Sequence, residues 1–225
     1  MEKLVTSWIR RLLGMHPPRP APGPAAERGP IDDLRDQIRR DVANGFLDED
    51  AILQIAADIF EDEIDAAEVR RQAPRLLRTA LAEHIVAERS WPPQTDCDRL
   101  DAAFAELEAD GVISRQNFSC CGNCGMAEIW DEIKDAEEGG RSARGYTFFH
   151  MQDTESAVEG HGLYLNYGSC EKSEAAQVAV GHEIVAKLEA HGLRTDWNGS
   201  LSKRIHVALD WKKRRTGLPS SEPIR

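Results

Sequence analysis

Three of the chain's five cysteines, Cys120, Cys121 and Cys124, fall within five positions in the run FSCCGNCGMAEIW at residues 118–130. Four kinds of chemistry suit such a run. A metal site would use Cys121 and Cys124 as a C-x-x-C knuckle and Cys120 as a third thiolate. The fourth ligand would come from His150, His161 or Cys170, and zinc is the metal such donors take. The expected set is Cys120, Cys121, Cys124 and His150. A redox pair would use CGNC, because a thiolate at a helix N-terminus is stabilised by unpaired N–H groups. The cis-proline that accompanies a thioredoxin-type dithiol has no counterpart, since no proline lies between Pro93 and Pro219. A nucleophile would be Cys121 or Cys124 paired with His150 and oriented by Asp153 or Glu155. Finally, thiols can pack as small hydrophobes under a helix. Cys97, at a predicted helix start with no evident partner, is read that way. His182, His191 and His206 are read as surface or half-buried side chains.

The elements that must position these residues divide into two kinds. Leu4, Val5, Trp8, Ile9, Leu12 and Leu13 recur at helical spacing and predict a short basic amphipathic helix over 1–14. The proline-rich HPPRPAPGPAAERGP that follows reads as a semi-extended tether. From residue 30 the period is helical, with stripes Ile31/Leu34/Ile38/Val42, Ile52/Ile55/Ile59/Phe60 and Leu77/Leu81/Ile85. SWPPQT breaks the chain. A fourth helix, capped by Thr95 or Asp96, then carries Leu100, Phe104 and Leu107 inward. After Gly111 the pattern changes. VISRQNF, YTFFHMQ, LYLNYGS, RTDW and RIHVALDW read as strands. Helices are expected after the cysteines (Met126, Ile129, Trp130 and Ile133 inward) and over 174–191 (Val178, Val185 and Leu188 inward). This order, β-α-β-β-α-β-β, predicts an α+β fold: an acidic helical N-terminal region, then a ferredoxin-like, split βαβ sandwich with an extra C-terminal strand and helices on one sheet face. The expected divisions are 1–29 helix and tether, 30–94 acidic helices, 95–215 the α+β domain and 216–225 a tail.

Composition bounds the function. The net charge is −11. It concentrates in residues 30–112, where nine Lys/Arg stand against twenty-one Asp/Glu. Such a balance argues against nucleic acid, whose affinity rests on cations meeting phosphates. The basic WKKRR at 211–215 is read as a solvated tail, and FEDEIDAAE as a solvated acidic face. No apolar run reaches the roughly 18 to 20 residues of a membrane span, so an integral membrane protein is not expected. The odd cysteine count, and a start unlike a signal peptide, point to a reducing, cytoplasmic setting. A protein partner is expected through residues 1–14 or the acidic helices.

NFSCCGNCGMAEI, GYTFFHMQDTE, GLYLNYG and RIHVALDW together resemble an uncharacterised family of bacterial proteins, a domain of unknown function. The resemblance covers roughly residues 97–215 and rests on C-C-x-x-C-G and H-x-Q-D-T-E. It implies a bacterial cytoplasmic protein and no particular activity. The chain carries no phosphate loop, G-x-S-x-G elbow or H-E-x-x-H helix. A binding or regulatory module with a thiol-rich pocket is therefore favoured, with a thiol-dependent enzyme or redox protein using Cys121 or Cys124 as the alternative.

Overall fold

The structure is a computed structural model that describes residues 28–215. The expected helix over 1–14, most of the tether and the tail at 216–225 lie outside these residues. Local chemistry sets the boundaries of the first three helices. α1 (Pro30–Asn44) begins with Pro at its first turn, where a missing N–H costs nothing, and stops at Gly45, whose φ of 82° favours glycine. α2 (Glu49–Ile59) is capped by Asp48, which accepts from the Ala51 amide. α3 (Ala66–Glu88) is capped by Asp65, which accepts from the Ala67 and Glu68 amides, and it runs through Pro74. Their shared core is Leu34, Ile38, Val42, Ile52, Ala56, Val69, Leu77 and Leu81. Two stripes are shifted from expectation. α2 turns Ala56 and Phe60 inward with Ile52, leaving Ile59 about half exposed, and α3 buries His84 where Ile85 was expected.

The second unit begins with α4 (Asp96–Ala109), capped by Thr95 in a reciprocal box with Asp98. Then follow β1 (Val112–Arg115), α5 (Gly122–Glu138), β2 (Gly145–Phe148), α6 (Met151–Val158), β3 (Leu163–Ser169), α7 (Glu174–Ala190), β4 (Arg194–Asp196) and β5 (Ile205–Ala208). The five strands form one sheet of order β1-β2-β3-β5-β4. β1 and β2 are parallel, and every other pair is antiparallel.

This is mixed α/β, with seven helices among the described residues, but the strand order is not the split one. A split βαβ needs a strand between β1 and β2, whereas Ile113 here pairs directly with Tyr146. Two things decide this. The α5 crossover returns β2 to the neighbouring position. The segment HMQDTESAV, whose first three residues were expected to extend the strand, forms α6 with His150 as its cap instead and lets β3 fold back beside β2.

Alternation places Leu163, Leu165, Ile205 and Val207 on one face, under Leu100, Phe104 and Leu107 of α4 and Val180, Ile184 and Leu188 of α7. Ile113, Tyr146 and Phe148 lie on the other face, under Ile129, Ile133 and Ala136 of α5. Helices therefore cover both faces, not one. Met126 and Trp130, expected inward, remain 39% and 47% exposed, because only the Ile129–Ile133 line of α5 meets the sheet. On α7 the inward line is likewise Val180, Ile184 and Leu188, with Val178 and Val185 half-buried.

The WKKRR segment is not a solvated tail. Trp211 packs against Phe46 and Phe149, and its indole donates to the Ala43 carbonyl at 3.0 Å. Lys213 pairs with Asp101, and Arg214 with Asp98. Arg215 donates to the Val42 and Leu47 carbonyls at 3.2 and 2.6 Å. The segment ties α1 and the α1–α2 loop to α4.

Candidate functional site

The cysteines sit where the loop after β1 enters α5. That loop holds two non-glycine residues at positive φ, Asn117 at 49° and Ser119 at 63°, a conformation that costs roughly 1 kcal/mol or more per residue. It is pinned by bonds to the segment leaving β2. The Phe118 amide donates to the Phe149 carbonyl at 2.8 Å, and the Met151 amide to Ser119 at 3.2 Å. The Thr154 hydroxyl donates to Asn117 Oδ1 at 2.8 Å.

Cys121 is the N-cap of α5 and Cys124 stands one turn in. α5 can approach the sheet because residue 125 is glycine, since a Cβ there would lie 2.5 Å from Phe148 Cε2. The sulfurs of Cys120, Cys121 and Cys124 lie within 4.8 Å of one another. Cys120 is exposed and the other two are half-buried, so the cluster faces solvent and is not core. Cys97 is the packed thiol: it is buried, which pushes its pKa up to about 12.

The thiols differ electrostatically. The Cys121 pKa is lowered, chiefly by the Cys124 amide and then by the Cys124 thiol, with the Asn123 amide and Cys120 adding less. These are the orphan donors of a helix N-terminus, and no complete cap hydrogen bond closes on the sulfur. The Cys124 pKa is pushed up to about 11 by its neighbours Cys120 and Cys121. Of these two thiols, Cys121 is the one the helix end inclines toward the thiolate.

His150 lies beneath this helix end, its ring edge 3.5 Å from where a Gly122 Cβ would be. Its nitrogens are occupied. It caps α6, with Nδ1 accepting from the Asp153 amide at 3.3 Å. Its Nε2 lies 3.0 Å from Asp153 Oδ2 and 3.4 Å from Arg204 Nη1. Burial is the main cause lowering its pKa; the Asp153 carboxylate opposes this, and Arg204 adds to it. Asp153, not Glu155, faces the imidazole, while Glu155 points its charge at Asp41.

Among the described residues the mutually close sulfurs gather no fourth donor. His161 is on the surface, with its ring beside Glu159. Cys170 lies past the far end of β3, its amide bonded to the Arg144 carbonyl.

Arg204, Asn166, Asn117 and Thr154 belong to the surroundings of the site and were not found in the sequence. Phe148 pairs with Asn166, and Arg204 precedes Ile205, the partner of Leu165, a juxtaposition that only strand register reveals. His150-x-x-Asp153, by contrast, has the local spacing of a reciprocal helix cap, although the sequence pattern was read there as a strand running through Gln152.

Residues 27–215 match the model of the family described as Domain of unknown function (DUF6891), and the chain belongs to that family. The matched span begins well before residue 97, so it takes in the helices α1–α3 that the motif resemblance had left outside. Among the curated proteins and among the solved structures, nothing matches the chain.

Proposed function

We propose that this DUF6891 member is a thiol-rich binding or regulatory module, and that Cys120, Cys121 and Cys124 take a thiophilic cation such as zinc. The observation that carries the reading is the gathering of three sulfurs within 4.8 Å. Zinc–sulfur bonds of about 2.3 Å in a tetrahedron need sulfurs roughly 3.8 Å apart, a change within reach of side-chain rotation. Cys121, already inclined to the thiolate, is the first ligand.

All three thiols come from one loop and helix end, so a bound ion would cross-link no distant elements. That favours a sensing or presenting role over a structural one. The fourth position would be open to solvent or a partner. His150 could fill it only by turning Nε2 away from Asp153. Free thiols in such a cluster suit a reducing compartment, consistent with a bacterial cytoplasmic setting. Metal analysis of protein purified without a histidine tag tests the reading. About one ion per chain is expected in the wild type and none in Cys124→Ser, with affinity falling as pH falls because ligand thiols must lose protons. Metal-free wild-type protein that takes up no zinc would overturn it.

A second reading, a redox dithiol, is favoured by one observation: the unequal thiols at the helix start, with Cys121 inclined to the thiolate and Cys124 held as thiol. In that case a small disulfide oxidant accepts two electrons and two protons, becoming two thiols, and Cys121 is linked to Cys124. A reductant reverses it. Mass analysis after oxidation separates the two readings.

A further inference from the structure

The cysteine helix covers only part of its sheet face. Beyond β2 that face is open, and its floor is Tyr164 of β3, His206 of β5 and Asp196 of β4, which stand side by side in register. The 197–204 segment forms one wall, and the cleft between measures about 430 Å³. Arg204 stands at its edge, held by two contacts. Its Nη1 donates to both oxygens of the buried Asp153 at 2.9 and 3.1 Å, and its guanidinium lies over the Tyr164 ring at 5.1 Å. Among the described residues no acceptor meets Nε or Nη2, and the side chain is 39% exposed. A guanidinium so fixed has spent one nitrogen on its support and kept the fork formed by the other two. Lys203, exposed and without an ion-pair partner among the described residues, lines the same cleft.

We infer that this cleft binds a small molecule through a carboxylate, with the Nε–Nη2 edge of Arg204 as the anchor. A planar carboxylate matches that edge with two parallel hydrogen bonds, whereas a lysine offers only a point charge. Asp153 acts as a positioning residue: buried and bonded by the His150 amide at 3.2 Å, it fixes the guanidinium plane before any ligand arrives. Tyr164 offers flat apolar surface to the ligand's carbon frame; Trp197 turns its ring to the other sheet face, against Tyr167 and His182, and its indole braces the 197–204 wall by donating toward the Ser200 and Lys203 carbonyls at 3.3 Å. The site is distinct from the thiol cluster but adjacent to it. Arg204 Nη1 is 3.4 Å from the His150 ring that lies under Gly122, so a bound carboxylate would sit one side chain away from the cysteine helix. The inference goes beyond the metal reading and does not depend on it.

The probe is succinate, titrated into the full chain at fixed ionic strength while the Trp197 indole N–H signal is followed by NMR, with Trp197→Phe assigning the signal. A saturable shift is expected with succinate, and inorganic phosphate should bind at least tenfold more weakly. Arg204→Lys should weaken binding severalfold and Arg204→Gln at least tenfold. Because Arg204→Gln leaves Asp153 buried and unpaired, the pair Asp153→Asn with Arg204→Gln is measured beside it, and it too should lose binding while melting cooperatively. Three results would each overturn the site: no saturable shift with succinate, equal affinity for phosphate, or undiminished binding in the folded double variant. Zinc content is read on the same samples. Succinate binding to metal-free protein would count against the metal reading alone, and metal-loaded protein that ignores succinate would count against the cleft alone.

Discussion

At the scale of single residues, the thiols and one glycine carry the sharpest consequences. Cys121 has its pKa lowered mainly by the Cys124 amide, so a Cys124→Ala variant keeps that amide and removes only the thiol. Alkylation of Cys121 by iodoacetamide should therefore begin below the ordinary thiol range in the wild type and shift only modestly upward in Cys124→Ala. A Cys121 that titrates like a free cysteine, near 8.5, would show that the helix end does not act on it. Gly125 is a packing residue: Gly125→Ala would drive a Cβ into Phe148, with separations of 2.5 and 2.9 Å to its ring atoms. The ring is buried and cannot swing away, so α5 must lift. Chemical denaturation should show a loss of about 1 to 3 kcal/mol, and the sulfur cluster should loosen with it. An unchanged stability would mean that α5 does not depend on close contact between residue 125 and Phe148.

At the scale of elements, the contact between α1 and α6 holds a misfit charge. Asp41 is buried, its Oδ1 accepting from Gln37 at 3.1 Å while its Oδ2 has no partner, and Glu155 of α6 faces it. Burial pushes its pKa up to about 6, with Glu155 adding and Gln37 opposing. The sign follows directly. The unfolded chain ionises this carboxyl near 4 and the folded chain only near 6. Stability from this group is therefore present below about pH 4, declines between about 4 and 6, and stays lost above. Asp41→Asn should raise stability at pH 7.5 by about 1 to 2 kcal/mol and give almost no gain at pH 4. Thermal melts of both proteins at the two pH values check this, and a gain independent of pH would assign it to packing instead.

At the scale of the whole molecule, two cores meet along a seam closed by residues 211–215. The α1–α3 core and the sheet cores share few side chains, and Trp211 bridges them through Phe46, Phe149 and the Ala43 carbonyl. Trp211→Ala should lower stability by about 2 to 3 kcal/mol, less than a fully buried aromatic because Trp211 is half-buried. We also propose that the halves are separate packing units, divided near SWPPQT. Limited proteolysis should release a fragment beginning near residue 92 that keeps its cooperative melt at a lower temperature, since Phe46 and the partners of Arg215 are gone. Uniform degradation without such a fragment would refute the division.

The sequence by itself determined the caps, the helical period and the strand alternation, because these depend on neighbours within about four residues. Thr95 as a cap and the inward line of Leu100, Phe104 and Leu107 were legible for that reason. It also determined that three thiols would crowd one helix start, and C-C-x-x-C-G carried the family resemblance. The tertiary structure alone decided which strands pair, since an α5 crossover of given length is compatible with neighbouring or skipped strands. It decided as well that Met126 and Trp130 stay outside, because a helix's apolar stripe is wider than the line that meets a sheet. It brought Arg204 to the locally formed His150–Asp153 pair from fifty-four positions along the chain. And it made WKKRR a clip, because acceptors for Trp211, Lys213, Arg214 and Arg215 come from α1, α4 and the loop after α1, more than a hundred residues away, which no local pattern can announce.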